Sequence, residues 1–141
     1  MSSLSRMCFR GEFAKVREAI GRGADVNDKS FADKTGLMLA VIPQRNSIGN
    51  SIVKLLLEQP TLDLNLTDSS GMTALHSASA YYDNVEGVQL LLADPRLNTH
   101  NHKDDNGWTP VMTAIVHKKV NALRELVAHP SVDLDTRDER G

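Results

Sequence analysis

The chain repeats itself. Thr35, Thr73 and Thr109 each open a Thr-x-aliphatic-x-x-Ala segment, written "TGLMLA", "TALHSA" and "TPVMTA". A second apolar block follows each one: "IVKLLLEQP", "EGVQLLLADP" and "ALRELVAHP". Each block leads into a stretch bearing Asp or Asn: "TLDLNLTD", "RLNTHNHKD" and "SVDLDTRD". The period is 34 to 38 residues once small loop insertions are allowed. A fixed period of this length means stacked supersecondary units, because one such unit cannot bury its own apolar face.

The chemistry inside each copy names the elements. Asp68-x-x-Gly71 and Asp104-x-x-Gly107 suit a tight turn, in which the carboxylate accepts from nearby amides and Gly is free to take positive φ. Thr73 and Thr109 are good N-cap residues, and Pro110 falls at the first helical position, where its missing N–H costs nothing. Val53, Leu56 and Leu57, then Val88, Leu91 and Leu92, then Leu123, Leu126 and Val127 recur at helical spacing. The expected order is hairpin turn, short helix, longer helix and loop, four times over. That is an all-α solenoid of helix pairs joined by short β-hairpin or turn loops, in one domain over residues 1–141. The units fall at about 4–29 (an N-terminal cap), 30–67, 68–103 and 104–137, with the start of a fifth at 138–141.

At these residues the chain resembles the ankyrin repeat family, whose diagnostic run is T-P-L-H-x-A after a D-x-x-G turn. "DSSGMTALHSA" from Asp68 and "DDNGWTPVMTA" from Asp104 carry that run, and "GADVN" in repeat one matches the usual loop between helix and next hairpin. The resemblance covers essentially the whole chain and makes Gly71, Thr73, His76, Gly107, Thr109 and Pro110 structural motif residues. It implies that the His76 imidazole ties adjacent hairpins to backbone and to the cap Thr. It also likens Asn27 and Asn65 to hairpin asparagines that hydroxylases modify in this family.

Departures from the pattern locate weak points. Met38 and Met112 stand where the family has histidine. Asp33 replaces the turn Gly and Gly36 the helix-starting Pro, so repeat two departs most and is expected to be the weakest unit. Pro43 and the insertion "PQRNSIGN" are expected to end its first helix early and lengthen the inter-helix loop. Arg6, Arg10, Glu12, Lys15 and Arg17 around the helices of repeat one suit a solubilising cap. The last helix pair has no following repeat over its outer side, so the natural array is expected to continue past Gly141. Failing that, the chain, otherwise a monomer, is expected to associate through that face.

Composition excludes several function classes. The net charge is −2 with both signs interspersed, which gives no electrostatic reason to expect nucleic acid, and no apolar run is long enough to cross a bilayer. Cys8 is the only cysteine and the N-terminus lacks the apolar stretch of a secretory signal, so a cytoplasmic or nuclear setting is expected. Cys8 itself reads as a small helix-face residue in the cap. Catalysis needs convergent groups, and His76 and Ser77 are helix neighbours that do not face each other. No enzyme activity and no cofactor are expected. "HNHKDD" is the best metal candidate, since His100 and His102 would share one face of an extended segment, but Asp104 is needed for its turn. No metal site is therefore expected.

What remains is surface. The resemblance implies a partner lying against the hairpin tips and the concave face of the first helices. That pattern picks out Lys29, Phe31, Ala32 and Lys34 at the first tip. The second offers Thr67, Ser69, Ser70 and Met72, and the third Lys103, Asp105, Asn106 and Trp108. Tyr81 and His117 are placed on the same side at helix ends, and Tyr82 is read as covering a loop. The expected function is non-catalytic binding of another protein, as a scaffold or adaptor module. The alternative is a stoichiometric regulatory subunit or inhibitor of an enzyme such as a kinase.

Overall fold

A computed structural model describes residues 3–42, 46–81 and 84–135. Within them the chain forms four helix pairs. They are α1 (Leu4–Arg10) with α2 (Phe13–Gly21), α3 (Gly36–Ala40) with α4 (Asn46–Leu57), α5 (Ala74–Ala80) with α6 (Val85–Ala93), and α7 (Pro110–Val116) with α8 (Val120–Ala128). The first helices stack on one another in chain order, and so do the second helices, which makes two parallel rows.

The repeated motif is what the rows are made of. Thr35, Thr73 and Thr109 are buried N-caps whose hydroxyls accept from the amides of Met38, His76 and Met112. The aliphatic positions Leu37, Leu75 and Val111 and the alanines Ala40, Ala78 and Ala114 are all buried. Alanine recurs because first helices approach one another closely, and a longer side chain there would overpack the contact. In the second helices Val53, Leu56, Val88, Leu91 and Leu126 close the same core.

The cap repeat starts differently. Ser3 takes the place of threonine and accepts from the Arg6 amide. The N-cap there is a hydroxyl all the same. Cys8 lies fully buried, its sulfur against Gly36 at the start of α3. Burial, helped by the Asp28 carboxylate, pushes its thiol up to about 12, so it is an inert packing group.

Three expectations need correction. Val127 recurs at helical spacing with Leu123 and Leu126, but it is exposed, and the buried residues of α8 are Ala122 and Leu126. The insertion in repeat two does not lengthen a loop throughout: α4 begins at Asn46, so residues 47–50 are helix. Residues 43–45, with Pro43, and Tyr82 lie outside the described residues, as does 138–141. Nor is there a β-hairpin proper among the described residues. A single antiparallel bridge joins Lys29 to Thr35 around a 3-10 turn, Phe31–Asp33.

That first turn is strained. Gly71 and Gly107 take φ of 75° and 77° at their tips, and Asp33, at the equivalent position, takes 59° without being glycine. Ala32 beside it takes 60°. Each such residue costs roughly 1–2 kcal/mol against its relaxed conformation. We therefore expect Ala32→Gly to raise the unfolding free energy by about 0.5–1 kcal/mol, after allowing for glycine's freedom in the unfolded chain. Urea titration checks it, and an unchanged or lower midpoint would mean the turn relaxes at no cost.

Candidate partner-binding surface

The three tips form one continuous edge. The Ser69 amide donates to the Ala32 carbonyl and the Asp105 amide to the Ser70 carbonyl, both at 3.0 Å. Within its own turn, Asp68 accepts from Ser70 and Met72 amides through Oδ1, and Asp104 does the same for Asn106 and Trp108. Gly71 is required twice over. Its φ is positive, and a Cβ there would meet Asp105 Oδ1 at 2.6 Å.

Lys29, Lys34 and Asp68 are occupied in holding this edge. Lys34 Nζ sits 2.6 Å from Asp68 Oδ2, with the carboxylate almost wholly buried. Burial pushes the Asp68 carboxyl up, but the Lys34 ammonium and the Met72 and Ser70 amides outweigh it and hold the group below its ordinary value. Lys29 Nζ donates to the Thr67 carbonyl at 3.1 Å. Both lysines were picked out as partner contacts, and both bridge the first tip to the second.

His76 ties the second tip to the third. Its Nδ1 accepts from the Thr73 amide at 3.2 Å and meets the Thr73 hydroxyl at 2.9 Å. Nε2 lies 2.8 Å from the Trp108 carbonyl. A carbonyl only accepts, so Nε2 carries the proton and the ring is neutral. Burial lowers its pKa, with the Trp108 bond opposing. This is the structural role that the resemblance implied. Met38, buried, and Met112, half-buried, fill the corresponding sites with a side chain that cannot make these bonds.

The remaining tip side chains point outward to different extents. Phe31 is 90% exposed, the most exposed large apolar side chain among the described residues. Ser69, Ser70, Asp105 and Asn106 are exposed, while Met72 and Trp108 are half-buried. Tyr81, at the C-cap of α5, is half-buried too. His117 is exposed at the end of α7, its Nδ1 2.9 Å from the Thr113 carbonyl.

His100 and His102 do not share a face. A turn from Thr99 to His102 separates them. His100 stacks on His129 with centroids 5.0 Å apart, and His102 lies edge-on to His76 at 6.2 Å. Among the described residues no group of three or more His, Cys, Asp or Glu is placed to hold a metal ion.

A ladder of side-chain amides runs along the loops, and the sequence reading saw only part of it. Asn27 Oδ1 accepts from the Asp63 amide while its Nδ2 donates to the Thr61 carbonyl. Asn65 bonds the Asn98 amide and the Arg96 carbonyl in the same way, and Asn101 the Asp133 amide and the Ser131 carbonyl. Asn101 went unnoticed inside "HNHKDD", although it lies 36 residues after Asn65, as Thr109 does after Thr73. Arg96 was also missed. Its guanidinium donates to the carbonyls of Gln59 and Leu57, closing the end of the previous helix pair.

Helix pairs stacked in two rows, with tips bonded edge to edge, define an α-solenoid repeat protein. A sequence model of ankyrin repeats, in three copies, matches residues 4–101. The chain belongs to the ankyrin repeat family. It is 29% identical to inversin of Gallus gallus over 139 residues, 97% of this chain but 12% of that protein. It is 32% identical to the human SMC5-SMC6 complex localization factor protein 1 over 77% of this chain and 10% of that protein. An ankyrin repeat-containing protein of Schizosaccharomyces pombe is 35% identical over half of this chain and 30% of its own length. The chain thus spans a small part of each of these relatives. Ankyrin repeats are generally non-catalytic protein–protein interaction modules, and no helix among the described residues is long and apolar enough to cross a membrane.

Proposed function

We propose that the chain is a protein-binding scaffold or adaptor module that grips its partner through the hairpin tips and the adjoining first-helix face. The observation that carries this reading is Phe31. An aromatic side chain 90% exposed, on a tip held rigid by Lys29, Lys34 and the bond from Ser69, is organised to enter a partner's pocket with little loss of freedom. Met72 and Trp108 on the next two tips extend the anchor, and Ser69, Ser70, Asp105 and Asn106 supply polar contacts around it. Tyr81 and His117 bound the same side. A buried and unreactive Cys8, alone of its kind, fits a cytoplasmic or nuclear setting.

The test starts by capturing a partner with this chain and mapping the contact by cross-linking mass spectrometry. Phe31→Ala is then expected to weaken that partner by at least ~1 kcal/mol in calorimetry, with the melting temperature unchanged. Changing Met72 and Trp108 to Ala should add to the loss. Cross-links confined to the second helices, with full affinity in Phe31→Ala, would overturn the proposal.

A further inference from the structure

The helices α4, α6 and α8 are followed by the same turn. The amides of Leu62, Leu97 and Val132 donate to the carbonyls of Gln59, Asp94 and His129, at 3.2, 3.1 and 3.2 Å. Inside the turn, one carbonyl goes to the ladder asparagine of the loop before: Thr61 to Asn27, Arg96 to Asn65 and Ser131 to Asn101. What holds that residue differs between repeats. In repeat three Asp94 Oδ1 accepts from the Arg96 amide at 2.9 Å. In repeat four the acceptor is an imidazole, with His129 Nδ1 taking the Ser131 amide at 3.2 Å. To accept, that nitrogen must be without a proton. His100, next to Asn101 in the chain, stacks on the same ring, with centroids 5.0 Å and planes 22° apart. Two ionisable rings thus meet at the last rung of the ladder.

We propose that His100 and His129 make this rung a proton-operated latch: acid releases the 129–135 loop from Asn101 while the two earlier rungs stay closed. A proton on His129 Nδ1 turns the acceptor into a donor facing the Ser131 N–H, so that bond is lost. A second proton on His100 sets like charges against each other across the stack. Either event loosens the turn that presents the Ser131 carbonyl and the Asp133 amide, which Asn101 grips at 2.9 and 2.6 Å. Burial and the charge of His129 lower His100 below its ordinary 6.5, so the open loop takes up the proton first. The latch is closed above that pH and opens below it. The other ionisable groups of the two loops are placed differently. His102 stands edge-on to His76, Lys103 is exposed, and Asp133 Oδ1 holds the Asp135 amide. Arg124 and Glu125 lie about one turn before His129 on α8. None of them offsets the effect of His129 on His100. The earlier rungs have no such ring. Gln59 does not titrate, and the Arg96 guanidinium holds the Asp94 carboxyl below its ordinary 3.8.

Amide exchange of the full chain at about pH 7.5 and about pH 5.5, corrected for the intrinsic pH dependence of exchange, tests the latch. Protection of the Ser131 and Asp133 amides should fall about tenfold between the two. Protection of the Asp63 and Asn98 amides, which make the same ladder bond in the two earlier rungs, should hold. His129→Asn offers the Ser131 amide a carboxamide oxygen and has no ring to protonate, so its last rung should stay protected at both pH values. His100→Phe keeps a stacked ring without the charge and should lose less protection than the wild type. His76 titrates in the wild type and in both variants, so an acid effect spread through the fold would survive in them and only a local one would disappear. Equal loss at all three rungs overturns the proposal, as does no loss at the third, or a loss undiminished in His129→Asn. Should His129→Asn open the rung at both pH values, an undiminished loss in His100→Phe overturns it instead.

Discussion

His76→Ala is expected to lower the unfolding free energy by about 3 kcal/mol, the sum of a cavity and lost bonds in a fully buried site. The Thr73 amide loses Nδ1 as its acceptor, and the Trp108 carbonyl keeps only the Asp104 amide. His76→Met should cost about half as much, because methionine restores volume without the bonds, as Met38 and Met112 already do. The bond to Trp108 joins two repeats, so the loss acts on the term that couples them. Amides of α7 and α8 should therefore exchange faster in His76→Ala than in the wild type, while those of α1 and α2 should not change. A loss under about 1 kcal/mol in urea titration, with uniform exchange, would show that the ring is replaceable.

The same histidine gives the fold a pH dependence of definite sign. Burial depresses its folded pKa below the ordinary 6.5. The unfolded chain therefore takes up a proton first as pH falls. Stability should be full above about pH 6.5 and should decline below it, towards the depressed folded value. His76→Met should flatten that decline. His100, lowered by burial and by its neighbour His129, adds a decline of the same sign, so some slope should survive.

How much of this could be read from the sequence depended on how local the cause is. Thr73 and Gly71 act within a few residues of themselves, so cap and turn were legible, and Pro110 marked its helix start, whereas the reach of His76 to Trp108, 32 residues on, came only from the family resemblance. Asn50 was not legible. Its partner Asn84 lies 34 residues away, and the carboxamides bond each other in both directions, a contact that composition cannot reveal. The insertion that ends in Asn50 read as loop because of Pro43 and its extra length, although α4 runs from Asn46. Lys34 was placed at the first tip by the family pattern, but its pairing with Asp68, 34 residues away on the next tip, is a contact that one repeat's spacing cannot reveal. Asp33 was correctly seen to replace the turn glycine. That the backbone keeps positive φ regardless follows from the bonds of the neighbouring tip, which hold Ala32 through its carbonyl. The separation of His100 from His102 turned on the turn that the loops share at their ladder asparagine: the His102 amide donates to the Thr99 carbonyl around Asn101 as the Asp28 amide does to the Asp25 carbonyl around Asn27.

Asp68→Ala is expected to cost about 3 kcal/mol at pH 7, because it removes an almost wholly buried carboxylate on which three donors converge. Two are turn amides, Ser70 and Met72, and the third is the Lys34 ammonium, itself only about one-fifth exposed. Asp104 provides an internal control. It makes the same two turn bonds, to Asn106 and Trp108, with no ion pair among the described residues, so Asp104→Ala should cost only about 1–2 kcal/mol. The difference is the tip-to-tip pair, and a double-mutant cycle with Lys34→Met isolates it. Its folded pKa lies below the ordinary 3.8, so the stabilisation is present above that pH and is lost as pH falls through the folded value. The gap between wild type and Asp68→Asn should therefore be widest near neutrality and close under acid. A coupling energy near zero in the cycle, or a gap that does not narrow with acid, would show that Lys34 lies beside Asp68 without stabilising it.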